Sequence, residues 1–225
     1  MIIPVSVKNQ SIDSSGITSD YKAAISEYVW NGFEANATKV SIEYTHNEAF
    51  GVKELIIKDN GEGINYNELG ETFGAFLASK KNLLSLQMKS KANKGKGRFS
   101  FIAFSNNAEW HTVYKDNDIY KEYDIAMSSD KKEVIDCSEP QLSEQNATGT
   151  EVRFFNINTL TVENMSFEVI ESALLKDFAW FLYLYKNKDA EIIVNGEKID
   201  YKKYINTDLS EKIMVTIDGY RFEIN

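Results

Sequence analysis

Glu27 and Asn31 stand four residues apart in the segment ISEYVWNGFEANATKV. On a helix, that spacing puts both side chains on one face. Ile25, Tyr28 and Val29 surround Glu27 and make the face half apolar. A carboxylate there needs a compensating role, because burying a charge is costly. One such role is to take a proton from a water molecule. An amide oxygen one turn further on is a hard ligand of the kind Mg²⁺ takes. The plainer alternative is a helix edge that holds Glu and Asn as solvated neighbours.

Three later segments carry complementary groups. Asp59-Asn60-Gly61-Glu62-Gly63 follows an apolar stretch. A carboxylate at a strand end can accept a hydrogen bond from an exocyclic amine, and Gly61 and Gly63 let the backbone pass close to a flat ring. The same residues also make an ordinary turn. Lys94-Gly95-Lys96-Gly97-Arg98-Phe99-Ser100 precedes an apolar stretch that reads as a helix from Arg98 to Phe104. Amide N–H groups exposed by closely spaced glycines at a helix start bind phosphate. Lys96 and Arg98 add charge; a flexible basic loop is the alternative. Thr148-Gly149-Thr150 opens a strand, where a hydroxyl can support Asp59 directly or through water. Alone, it is only a turn.

The elements that must position these groups follow from periodicity. Ser19 to Asn36 reads as a helix capped by Ser19 or Asp20, with Tyr21, Ala24, Ile25, Tyr28, Val29 and Phe33 at helical spacing. Lys39–Thr45 and Lys53–Lys58 read as strands, the second stopped at Asp59. Tyr66–Ala78 reads as helical, and Asn82–Lys96 as a mobile loop. Segments around Glu109–Tyr114, Ile119–Ile125, Glu133–Asp136 and Thr150–Phe155 alternate as an antiparallel sheet with one solvated face. Phe167–Tyr185 is a long amphipathic helix. Glu191–Val194 is a strand before the hairpin signal Asn195-Gly196, and Asp218-Gly219 is a second such signal between Met214–Ile217 and Tyr220–Ile224. The pattern is still running at Asn225, which points to a longer protein.

Composition bounds the class. The chain has 225 residues, 43% hydrophobic and 12% aromatic, enough for a full core. No apolar run is long enough to cross a bilayer, and the start MIIPVSVKNQ does not read as a secretory signal. One cysteine, Cys137, leaves no internal disulfide framework and points to a reducing, cytoplasmic setting. His46 and His111 read as ordinary strand or surface residues. The net charge of −9 argues against a nucleic-acid platform over the whole surface. Yet Lys80, Lys81, Lys89, Lys91, Lys94, Lys96 and Arg98 form a basic run without an acid, either a solvated loop or an anion site.

In order and spacing, the four segments together resemble the gyrase, chaperone, histidine-kinase and MutL ATPase superfamily, over roughly residues 15–155. The helix text around Asn31, with Glu34, Ala35, Asn36 and Ala37, is similar to the MutL-like form. Ser79-Lys80-Lys81 before the glycine-rich stretch looks like a bacterial branch that also resembles MORC-like proteins. Two positions depart from the family pattern: Ala92 stands where the first lid glycine would be, and Glu34 where Asp is commoner. The resemblance implies an α+β, two-layer sandwich of the Bergerat type, with a mixed, mainly antiparallel sheet and ATP between helices and sheet. It implies that Glu27 activates the attacking water, with Lys80 near the γ-phosphate, and that Asn31 binds Mg²⁺. It implies that Asp59 binds the adenine amine with Gly61, Gly63 and Thr150 around the ring. Gly95, Lys96, Gly97, Arg98 and Phe99 would wrap the phosphates. The expectation is an ATP-binding domain over residues 1–200, followed by a hairpin that starts a transducer-like domain. It would hydrolyse ATP slowly, and lid closure would drive homodimerisation or switching of a larger protein. A non-catalytic nucleotide sensor and a DNA-handling ATPase are the alternatives; a membrane is not expected as a partner.

Overall fold

The computed structural model describes residues 2–4, 17–72, 97–206, 213–217 and 220–224, and the side chains of 17–70 and 97–206. The chain begins with a short strand β1, Ile2–Pro4, and then the helix α1, Tyr21–Glu34. Of the two capping candidates, Asp20 is the one at the cap, its side chain accepting the Lys22 N–H. The helix stops two residues before Asn36. Asn36 takes a left-handed φ of 61°, and the amides of Asn36 and Ala37 turn back to the carbonyls of Phe33 and Gly32. That is the Schellman way of satisfying the last carbonyls. The buried stripe Ala24, Ile25, Tyr28, Val29 and Phe33 is the one its periodicity marks.

Strands β2, Lys39–His46, and β3, Val52–Asp59, pair antiparallel. A 3₁₀ turn, Tyr66–Glu68, leads into a single helical turn, α2, Leu69–Thr72. The rest of the expected helix to Ala78, and the segment Asn82–Lys96, lie outside the described residues. The stretch expected to open an α-helix at Arg98 is instead a 3₁₀ helix, Gly97–Ala103. Three residues per turn align Phe101 with Phe104, and both are fully buried.

The long antiparallel strands follow: β4, Ser105–Asp116, and β5, Ile119–Ser128. Then come the short β6, Val134–Cys137, and β7, Gln141–Leu142, and the central β8, Gly149–Ile157. Helix α3, Phe167–Leu184, precedes β9, Glu191–Val194, and β10, Glu197–Lys198. Asn195 and Gly196 between them both have positive φ, 45° and 88°, the geometry of a two-residue type I′ hairpin. Among the described residues, β11, Ile213–Ile217, and β12, Tyr220–Ile224, pair with each other alone; the turn at Asp218-Gly219 lies outside the described residues.

Strands β1 to β10 form one sheet in the order β1-β6-β5-β4-β8-β3-β2-β9-β10, with β7 alongside β5. Among the described residues, every pairing in this sheet is antiparallel except β2 with β9. The chain reaches β9 through α3, and a parallel neighbour requires such a crossover. One face of the sheet packs on α1 and α3. Trp30 and Phe33 of α1 meet Phe178 and Phe181 of α3 at ring centroid distances from 4.4 to 5.9 Å. The other face is solvated and carries ion pairs of Lys58 with Glu151 and Arg153 with Glu54, and a 2.8 Å contact of His111 Nδ1 with Asp124 Oδ1. The architecture is the expected two-layer α+β sandwich on a mainly antiparallel sheet. Among the described residues, no helix is long and apolar enough to cross a membrane.

Candidate functional site

Strand register places a polar rung on the helix-covered face. Val40 opposes Asp59, Asp59 opposes Thr150, Thr150 opposes Thr112, and Thr112 opposes Tyr123, across β2, β3, β8, β4 and β5. Directly opposed residues share a face. The inner face of an otherwise apolar sheet therefore carries a carboxylate and two hydroxyls side by side.

Asp59 ends β3, and its Oδ1 accepts the Gly61 N–H at 2.8 Å. Burial raises its pKa above the usual 3.8, while hydrogen bonds from the Gly61 and Thr150 backbones pull it back down. The turn after it is tied down on all sides. Asn60 Oδ1 accepts the amides of Thr38 and Lys39, both at 2.9 Å, and the Glu62 amide donates to the Ala35 carbonyl at 2.8 Å. The two glycines meet protein backbone closely. A Cβ on Gly61 would lie 2.6 Å from the Ala35 carbonyl oxygen, and one on Gly63, where φ is +74°, 2.1 Å from that of Val113. Gly149 likewise lies over Asp59, where a Cβ would stand 2.4 Å from its carbonyl oxygen. Gly32 crowds the side chain of Asp59 as Gly149 crowds its backbone. A Cβ on Gly32 would come within 2.9 Å of the Asp59 Cβ.

Glu27 and Asn31 are half-buried on α1. Gly97 runs directly across them: a Cβ there would lie 3.3 Å from Glu27 Oε2, and 3.7 and 3.8 Å from the Asn31 amide nitrogen and oxygen. The start of the 3₁₀ helix is fixed to the same helix by Tyr28, whose buried hydroxyl donates to the Arg98 carbonyl at 3.0 Å. The side chains of Arg98 and Phe99 turn into the core. Arg98 is 7% exposed, with its guanidinium carbon 4.8 Å from the centre of the Phe99 ring. Burial lowers its pKa from 12.5 to about 10, and the neighbouring Tyr28 opposes the shift. At neutral pH it remains a cation. Whatever Arg98 and Phe99 offer an anion on the cleft side comes from their backbone, since their side chains are engaged in packing.

The structure thus brings Gly97 onto Glu27 and Asn31 of α1, and Asp59 against Gly32 of the same helix, with Gly61 and Thr150 beside Asp59 and Gly63 against Val113 and Thr112. Lys80, Gly95 and Lys96 lie outside the described residues. The residue missed by sequence reasoning is Thr112. It is fully buried, and its Oγ1 accepts the Ile64 N–H at 2.9 Å and lies 3.1 Å from Thr150 Oγ1. A single Thr in an alternating strand carries no local signal; only the β4–β8 register reveals its neighbour.

Among the described residues, no three His, Cys, Asp or Glu side chains gather into a metal cage. Mg²⁺ commonly takes only one or two protein oxygens and completes its shell with phosphate and water. The Asn31 amide oxygen, beside the Glu27 carboxylate and under a glycine, fits that mode.

Comparison with known proteins assigns the chain to a family. Residues 18–159 match the family model described as histidine kinase-, DNA gyrase B-, and HSP90-like ATPase. Comparison with curated proteins finds no match. Among solved structures, the chain is similar to the Aquifex aeolicus MutL ATPase domain complexed with ADP, at a TM-score of 0.47 and 14% identity, over 88% of this chain and 72% of that one. With most of its length, and every described residue of the site, inside the matched span, the chain belongs to the histidine kinase-, DNA gyrase B-, and HSP90-like ATPase family.

Proposed function

We propose that this domain binds Mg-ATP between α1 and the polar rung, hydrolyses it slowly to ADP and phosphate, and thereby switches a larger protein, in part by pairing two copies. The observation that carries the reading is the double contact of α1. Gly97 lies against Glu27 and Asn31, and Gly32 of the same helix lies against Asp59. One helical segment therefore sets the spacing between an acceptor suited to an amine and an oxygen pair suited to a hydrated metal and its phosphates.

In this reading Asp59 accepts the exocyclic amine of adenine, with Thr150 beside it. Gly97, close against Glu27 and Asn31, and the residues after it would offer backbone amides to the phosphate chain. Asn31 would supply an oxygen to Mg²⁺, which would neutralise phosphate charge. Glu27 takes a proton from the attacking water as the new P–O bond forms and the bond to ADP breaks. Lys80, Gly95 and Lys96 would complete the phosphate contacts. Phosphoryl transfer draws mainly on such positioning and charge stabilisation.

The test separates catalysis from sensing. Glu27→Ala is expected to keep ADP affinity within about twofold, because a base acts in the chemical step. Steady-state phosphate release should fall by about 10²–10⁴-fold. Release at the wild-type rate would remove Glu27 as the base, and tight binding by a wild type that releases no phosphate would establish the sensor. Asn31→Ala should weaken nucleotide binding in Mg²⁺ and leave it unchanged in chelator. Sedimentation with and without a non-hydrolysable ATP analogue tests pairing, and an unchanged monomer would refute it.

A further inference from the structure

We infer that Thr112, a residue the ligand does not touch, fixes which way the Thr150 hydroxyl points and so sets the preference for adenine over a 6-oxo purine. The inference rests on the adenine-nucleotide reading above. Thr112 is 0% exposed, so any influence on a ligand passes through its neighbours. It is a positioning residue.

The argument is one of proton counting. A hydroxyl has one proton to give and two lone pairs with which to accept. Thr112 Oγ1 accepts the Ile64 N–H at 2.9 Å, and an amide can only donate. Its single proton has two destinations: Thr150 Oγ1 at 3.1 Å, or the Gly149 carbonyl at 3.3 Å. If the proton went to Gly149, the Thr150 proton would turn back toward Thr112. Thr150 would then present only lone pairs next to the Asp59 carboxylate, which it directly opposes across β3 and β8. Two acceptors would stand side by side on a rung where Thr112 and Thr150 are buried. With the Thr112 proton on Thr150 instead, the Thr150 proton is turned away from Thr112 and is left for a ligand that approaches beside Asp59. The bonds then run head to tail, from the Ile64 amide through Thr112 to Thr150, and each polarises the next. Gly63 contributes by its lack of a side chain: a Cβ there would lie 3.2 Å from Thr112 Oγ1, crowding the start of the chain.

The resulting edge is acceptor then donor, Asp59 then Thr150. Adenine presents the complement, an amine and then a ring nitrogen with a lone pair. Hypoxanthine presents the opposite at both places, a carbonyl oxygen and a ring N–H. Without Thr112 Oγ1, the Thr150 hydroxyl is free to rotate and accept from that N–H.

The experiment is calorimetry with ADP, IDP and purine riboside diphosphate, which keeps the lone-pair ring nitrogen and lacks the amine. Wild type is expected to bind ADP most tightly, purine riboside diphosphate next and IDP least. Thr112→Val should narrow the ADP-to-IDP ratio by about tenfold, the worth of one reoriented hydrogen bond. Thr112→Ser, which restores the hydroxyl, should hold the ratio within about twofold of wild type. A purely structural role would lower ADP and IDP affinity by the same factor, and an unchanged ratio in Thr112→Val overturns the inference. The wild-type series serves even if Thr112→Val does not fold: purine riboside diphosphate binding no better than IDP overturns it as well. Failure of wild type to bind ADP at all would instead refute the nucleotide reading beneath it.

Discussion

At Asp59, burial and function pull in opposite directions. Burial raises its pKa above 3.8 despite two backbone hydrogen bonds that favour the charge. The folded chain therefore holds this proton more tightly than the unfolded chain does. Its contribution to stability is fully present below the usual carboxylate pKa and is lost as pH rises through the folded-state value. Once ionised, the group is a cost that a donating ligand relieves. Asp59→Asn keeps an oxygen for the Gly61 amide and removes the charge. We expect its ligand-free thermal midpoint to exceed that of wild type where Asp59 is ionised, with the difference shrinking as pH falls. ADP affinity should fall by about 1.5–3 kcal/mol, the worth of a charge-assisted hydrogen bond. Calorimetry paired with thermal melts at several pH values checks both. Undiminished ADP affinity would take adenine recognition away from Asp59.

Between elements, the telling contact is the pin from α1 to the 3₁₀ helix. Burial pushes the Tyr28 hydroxyl well above the usual tyrosine range, so it remains a donor throughout the working pH range. Its ring packs edge-on against Phe154 at 4.8 Å and tilted against Trp110 at 6.4 Å. Tyr28→Phe keeps these rings in place and removes the hydroxyl's bonds to the Arg98 carbonyl and to the Phe101 backbone. It should destabilise the fold by about 1–3 kcal/mol, the cost of stranding a buried acceptor, measured by chemical denaturation. Turnover should fall more than ADP affinity, because Gly97 is then less firmly held over Glu27. An unchanged denaturation midpoint would mean that the Arg98 carbonyl finds another donor at no cost. The helix periodicity announces that Tyr28 is buried. It says nothing of what the hydroxyl meets, because Arg98 is seventy positions away in the chain.

Over the whole molecule, the sheet edge is managed by the first residues of the chain. β1 pairs with β6 through Ile2, Ile3 and Pro4, covering a strand that would otherwise present unpaired backbone groups. Deleting Met1 to Pro4 should lower the thermal midpoint and promote association through β6, detected by light scattering. An unchanged midpoint with monomeric elution would show that β6 needs no cover. Charge is also redistributed at this scale. The basic run from Lys80 ends in Arg98, which the fold places in the core, so the last charge of the run is withdrawn from any surface role.

Local pattern determined the helices α1 and α3, most of the long strands and the Asn195-Gly196 hairpin, because each rests on the spacing of apolar residues or on the backbone preference of one or two residues. It also placed Glu27 beside Asn31, since a helical turn is a local distance. The short strands β1 and β7 had no such signature: two or three residues are too few for a period, and pairing alone makes them strands. The 3₁₀ form of Gly97–Ala103 was decided by what Phe99, Phe101 and Phe104 had to pack against. Only the tertiary structure could put Gly97 over Glu27, Gly32 on Asp59 and Thr112 against Thr150. Each of these contacts depends on strand register and layer packing between segments far apart in the chain, and no residue type or spacing within one segment encodes that.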